Sequence, residues 1–144
     1  MTKKEFYEVF RNIYNVGAGV KVCKSIVVNF SVPKAERDYI FAYSLMDNVF
    51  NHKGEFFYYG DGNLQDDGAV LSFNPKLLKM SDECIRNTIA HELVHTVKGC
   101  DDHNAKFLKV GKKYFELLKN SECPLENPIE FLGTEEESDL LMKL

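Results

Sequence analysis

The residues most able to do chemistry are His91-Glu92-Leu93-Val94-His95 and, eight positions on, His103. Two histidines four apart on a helix leave the same face, close enough to hold one metal ion between them. Glu92 is offset by one helical step, so its carboxylate flanks such an ion without having to ligate it. In an H-E-x-x-H string the imidazoles serve as zinc ligands and the glutamate as general base for peptide hydrolysis. Residue frequencies produce the string by chance in roughly one chain of this length in a few hundred. The surrounding sequence therefore has to supply the helix, the third ligand and the open position that the chemistry needs.

Ser81 is a natural N-cap, with Asp82 and Glu83 well placed in a first turn. A helix is expected to run to about Val97, with Gly99 suited to the left-handed position just past its end. Ile85, Ile89, Leu93 and Val97 form its apolar stripe. His91 lies roughly 160° around the helix from Leu93, so the histidine face points away from the stripe, as a cleft-lining site requires. Cys100-Asp101-Asp102 then makes a tight connection, with Asp101 or Asp102 as cap of a further helix from about His103 to Lys119. His103, Phe107, Val110 and Tyr114 share one face of it. A returning helix of this kind brings His103 back to His91 and His95, and three protein ligands leave a fourth position for water.

Other residues compete for the third ligand position. Glu116 lies roughly 220° around the helix from His103 and neighbours Lys112, Lys113 and Lys119, which reads as a surface ion pair worth about 0.3–0.5 kcal/mol. Asp101 stands where a metzincin places its third histidine, but Lys98 replaces the glycine that motif needs. Cys100 reads as a buried thiol more readily than a soft ligand. Asp101 or Asp102 could orient a histidine from behind. His52 stands alone in a polar turn. His103 is the expected third ligand.

Elsewhere, Thr2 and Glu5 form a capping-box signature ahead of Phe6, Val9, Phe10 and Ile13, with Gly17 and Gly19 ending that helix. Ser25 to Val32 reads as a strand, and Ala35 to Phe50 as a largely buried helix. Glu55–Tyr59 and Ala69–Phe73 read as a hairpin joined by a long polar loop. That loop is rich in aspartate but lacks the spaced ligands of a calcium site. The chain of 144 residues is most simply one domain over 1–121, followed by an acidic tail over 122–144 that carries Glu135, Glu136, Glu137 and a short docking helix. Its four cysteines form no C-x-x-C pair, which fits reduced thiols in cytoplasm. No apolar run is long enough for a bilayer, and no secretory leader is evident. A net charge of −4 gives no global attraction to nucleic acid. Lys106, Lys109, Lys112 and Lys113 nevertheless form a local basic patch.

The string His91–His95, then Gly99-Cys100, then His103 and Phe107, resembles the SprT-like family of zinc metallopeptidases. Leu71-Ser72-Phe73-Asn74-Pro75-Lys76-Leu77-Leu78 is similar to that family's approach to its active-site helix. The resemblance covers about residues 55–119. It implies an α+β, zincin-like single domain with several helices packed on a small β-sheet. It further implies Zn2+ held by His91, His95 and His103, Glu92 as general base, and a protein or peptide substrate. Family members place the third histidine in an H-G-x-x-aromatic segment; here Asn104 replaces the glycine. The family's C-terminal zinc ribbon is missing, and so are the DNA-binding additions of relatives such as Spartan, which act on DNA-associated proteins. Tyr58, Tyr59 and Tyr114 are candidates to stabilise an oxyanion, and Ala69–Phe73 to offer an open edge to an extended substrate. Two other readings compete: a metal-dependent endoribonuclease resembling the YbeY-like enzymes, and a binding module with purely structural zinc. The seven-residue gap to His103 and the presence of Glu92 count against the nuclease.

Overall fold

The computed structural model describes residues 1–38, 40–47, 57–60, 68–129 and 139–143. They fall into two compact units, one of 1–22 with 80–131 and one of 23–79 with 132–144. Helices dominate the first and a sheet the second, so the chain is of the expected α+β class.

In the helical unit, α1 spans Lys3–Val16 and starts from the predicted capping box: Thr2 accepts from the Glu5 backbone N–H, and Glu5 accepts from that of Thr2. Phe6, Tyr7, Phe10 and Ile13 are its buried residues. A 3₁₀ turn over Gly17–Val20 ends it. Only glycine fits at position 17, because a Cβ there would stand 2.8 Å from a Val22 methyl and 3.0 Å from the Tyr114 hydroxyl. Two further helices, α2 (Asp82–His95) and α3 (Ala105–Leu118), complete the unit. Tyr114 of α3 is buried and its hydroxyl donates to the Ile13 carbonyl at the end of α1.

The sheet unit has four strands, β1 (Ser25–Asn29), β2 (Ala42–Asp47), β3 (Phe57–Gly60) and β4 (Gly68–Phe73), in the order β2-β4-β1-β3. β1 and β4 are parallel neighbours, and β2 and β3 pair antiparallel outside them. Every residue of β1 and β4 is buried, as expected of central strands covered on both faces. Three expectations from sequence are corrected here. β3 and β4 form no hairpin, because β1 lies between them. β4 has no open edge, since β1 and β2 occupy both of its sides. The described residues within 35–50 are not a helix: Lys34–Glu36 is a 3₁₀ turn and β2 pairs from Ala42↔Phe73 to Asp47↔Gly68.

The reason lies in Asn74, which is fully buried. Its Nδ2 donates to the carbonyls of Arg37 (2.8 Å) and Ile40 (2.9 Å), and its backbone N–H to that of Phe41 (2.7 Å). Those carbonyls are thereby taken from any helical ladder, and a short apolar run is ambiguous between helix and strand until such partners decide it. The polar loop, His52 and Glu135–Glu137 lie outside the described residues. Residues 139–142 form one helical turn with Leu141 fully buried, matching the expected docking helix. Among the described residues no helix is long and apolar enough to cross a membrane.

Tyr114→Phe removes the hydrogen bond to Ile13 while keeping the ring, and should lower stability by about 1 kcal/mol. Urea unfolding of the two proteins measures it; an unchanged midpoint would show that the hydroxyl adds nothing.

Candidate metal centre

α2 begins as its sequence directs. The Ser81 hydroxyl accepts from the Cys84 backbone N–H (3.2 Å), with Asp82 and Glu83 at the positive end of the helix dipole. Ile85, Ile89 and Leu93 are fully buried, whereas His91 and His95 on the other face are half-buried. Side chains of the first turns also hold the segment after α3. The Glu83 carboxylate accepts from the backbone N–H groups of Glu126 and Asn127, at 3.1 Å each, and Asn87 Nδ2 donates to the Pro128 carbonyl at 3.0 Å.

After α2 the chain turns at Gly99, whose φ of +85° is the expected left-handed conformation. The cap of α3 differs from expectation. Asp101 and Asp102 are exposed, and Asn104 caps instead, its Oδ1 accepting from the Phe107 backbone N–H at 2.9 Å. Its Nδ2 donates to the Gly99 carbonyl at 3.1 Å. At φ −89° the backbone of Asn104 makes no demand for the glycine that the similar family carries there. α3 consequently starts at Ala105, and His103 sits in the loop just before it.

This turn brings the three histidines together. His91 Nε2 lies 3.1 Å from His95 Nε2 and 3.1 Å from His103 Nε2. One candidate ligand atom from each residue lies within 4.8 Å of the others. Phe107 supports the cluster, with its ring centroid 5.1, 4.8 and 4.9 Å from those of His91, His95 and His103. His95 Nδ1 is 2.9 Å from the Cys100 carbonyl, which can only accept. That bond puts the proton on Nδ1 and leaves the Nε2 lone pair facing the cluster.

The donor set fits a metal ion. A single imidazole nitrogen offers one proton or one lone pair, so His91 Nε2 cannot satisfy both neighbours by hydrogen bonding. One cation satisfies all three lone pairs, and nitrogens about 2.0–2.1 Å from a tetrahedral zinc would sit roughly 3.4 Å apart, close to the spacing found. Burial, reinforced by His95 and opposed by Asp102, holds the His103 pKa below the ordinary imidazole value. The neutral form that a metal ligand requires is thus favoured even though the residue is exposed at one side.

The other candidates sort clearly. Glu92 is buried, with 7% of its surface exposed, and stands next to His91 and one helical turn from His95. Cys100 keeps a fully buried thiol whose pKa is raised by that burial, so it serves the site through its carbonyl. Neither aspartate is the partner of His95 Nδ1; the Cys100 carbonyl is. Glu116 is exposed and pairs with Lys119 at 3.2 Å, as expected. Tyr114 is corrected as an oxyanion candidate: it is buried, its hydroxyl is engaged with Ile13, and burial raises its pKa well above the usual phenol value. The side chains of Tyr58 and Tyr59 lie outside the described residues. Sequence reasoning passed over Asn104, although an asparagine directly before an apolar helical pattern is a recognisable cap signal. The Cys100 carbonyl had no signal, because a backbone group has no residue type.

A histidine whose folded pKa is depressed binds fewer protons than in the unfolded chain, so metal-free stability should rise as pH increases toward about 6.5. Imidazole NMR titration of the metal-free protein should place His103 below that value; a pKa at or above it would remove the argument for a neutral ligand.

Residues 62–127 match the family model described as YgjP-like, metallopeptidase domain. No curated protein and no solved structure was matched. The matched segment holds His91, Glu92, His95, His103, Asn104 and Phe107, and ends within the stretch that Glu83 and Asn87 hold against α2. A metallopeptidase family implies a metal ion and a protein substrate, and the three-histidine cluster is where this chain could bind the ion. Over residues 62–127 the chain is thus similar to the YgjP-like metallopeptidase domain, in accord with its resemblance to the SprT-like zinc metallopeptidases.

Proposed function

We propose that this chain is a zinc-dependent endopeptidase that hydrolyses peptide bonds in protein substrates, with His91, His95 and His103 as metal ligands and Glu92 as general base. The observation that carries the reading is the convergence of three imidazole nitrogens, with no fourth His, Cys, Asp or Glu in that cluster among the described residues, while Glu92, adjacent to His91 in sequence, is buried. A structural zinc site is closed by four protein ligands, whereas a catalytic one keeps a position free. Three nitrogens and no thiolate also suit zinc better than the all-oxygen cations.

Zinc, when bound, supplies a Lewis acid that polarises a carbonyl and makes water acidic near neutral pH. The residues of the chain do the rest. The imidazoles stay neutral, His95 fixed in its tautomer by the Cys100 carbonyl and His103 by its partly desolvated position. Glu92 accepts the proton of the attacking water and returns it to the leaving amine. Its burial leaves the carboxylate little competing water, which would strengthen its interaction with a nearby cation. We take the catalytic region to continue beyond the expected boundary at 121, since Glu83 and Asn87 anchor residues 126–128.

The exposed lysines of α3, Lys106, Lys109, Lys112 and Lys113, are the observation that keeps a nucleic-acid-binding reading in play, and with it a nucleic-acid substrate. A carboxylate base beside the ligands favours the peptidase, because the proton must be carried to an amine.

Glu92→Gln should retain one zinc per chain and lose on the order of 10²–10⁴-fold in hydrolysis rate. Undisturbed turnover would exclude Glu92 as the base. Incubation of the purified protein with an unfolded polypeptide and with RNA, each with and without chelator, separates the two readings. Chelator-sensitive loss of polypeptide alone is expected; loss of RNA alone would replace the peptidase assignment.

A further inference from the structure

The three ligands come from two places: His91 and His95 from α2, and His103 from the loop that ends it. That loop is tied to α2 through His95 Nδ1 and the Cys100 carbonyl, and one side chain, Asn104, closes it from Gly99 to the start of α3. Asn104 Nδ2 donates to the Gly99 carbonyl (3.1 Å), and its Oδ1 accepts from the Phe107 backbone N–H (2.9 Å). The first bond spans the loop, and the second starts α3 in the direction that puts the Phe107 ring against all three imidazoles. Gly99 adjoins Cys100, whose carbonyl bonds His95 Nδ1, and Asn104 adjoins His103. Holding these ends together therefore sets a second partner of one ligand and the backbone origin of another.

We infer that Asn104 is the positioning residue of the metal centre: it presets the separation between His103 and the α2 histidines before any ion arrives. The inference rests on the metal-site reading above. Loop backbone between two helices is ordinarily among the more mobile parts of a fold, and a site assembled from it binds weakly unless its geometry is fixed in advance. Lys106 adds a parallel tie, its Nζ donating to the Lys98 carbonyl and its methylenes lying against Gly99. That tie uses a long exposed side chain with much rotamer freedom, so it cannot replace the short amide of Asn104.

Two variants separate cap from tether. Asn104→Ser keeps a hydroxyl that caps α3 but is too short to reach the Gly99 carbonyl, whereas Asn104→Ala loses both bonds. Zinc affinity by chelator competition and metal-free thermal melting are measured on the full chain, with His103→Ala alongside. Asn104→Ser is expected to melt like the parent and bind zinc about tenfold or more weakly, the size of effect seen when a ligand's supporting partner is lost. Asn104→Ala should show the same loss in affinity and a lower melting temperature. Parent-like zinc affinity in Asn104→Ser, with binding lost in His103→Ala, would overturn the positioning role and leave the metal site standing. So would a drop in melting of Asn104→Ser that accounts for the whole loss in affinity. A parent protein that binds no zinc would overturn both.

Discussion

Everything at the site depends on closing a short loop so that His91 Nε2 meets His95 Nε2 and His103 Nε2 at 3.1 Å each. The first of these contacts is made available by helical spacing, which puts histidines four apart on one face. The second is not. It requires a left-handed residue at Gly99, a cap at Asn104 and a helix that leaves the loop with Phe107 turned toward the histidines. The chemistry is thus encoded less in the H-E-x-x-H string than in the residues that follow it.

Left to themselves, the imidazoles are in conflict. Their nitrogens are too close for protonated rings, which would repel, and too few in bonding capacity to satisfy each other while neutral. The fold keeps this arrangement through elements that have their own reasons to exist: the buried stripe of α2, the Phe107 ring, and the Cys100 carbonyl on His95. Several titratable groups held this close together are a usual mark of a site built for a ligand. Glu92 is also buried there, a carboxylate with 7% of its surface exposed on a helix whose other buried positions are mostly apolar. Its place in sequence, immediately after His91, makes sense of that burial if it faces a cation.

The helical unit was largely legible in the sequence because its signals are local. Caps at Thr2 and Ser81, the stripe of Ile85, Ile89 and Leu93, and the turn at Gly99 each depend on residues a few positions apart. So does the meeting of His91 and His95. The sheet was read less well because its order depends on distant partners. Nothing within Glu55–Tyr59 or Ala69–Phe73 says that β1 will enter between them. Nothing within Ala35–Phe50 reveals that Asn74 will take the Arg37 and Ile40 carbonyls. Tyr114 shows the same limit in a side chain: nothing in the sequence separates it from Tyr58 and Tyr59 as an oxyanion candidate, and only the nearby end of α1 shows where its hydroxyl goes.

The account centres on three imidazole nitrogens sharing one zinc ion with room for a light fourth ligand. X-ray absorption spectroscopy of the zinc-loaded protein tests this most directly. The expected first shell holds only nitrogen and oxygen at about 2.0–2.1 Å, with outer-shell scattering from three imidazole rings. A sulfur at about 2.3 Å, or a fourth protein ligand closing the shell, would contradict it.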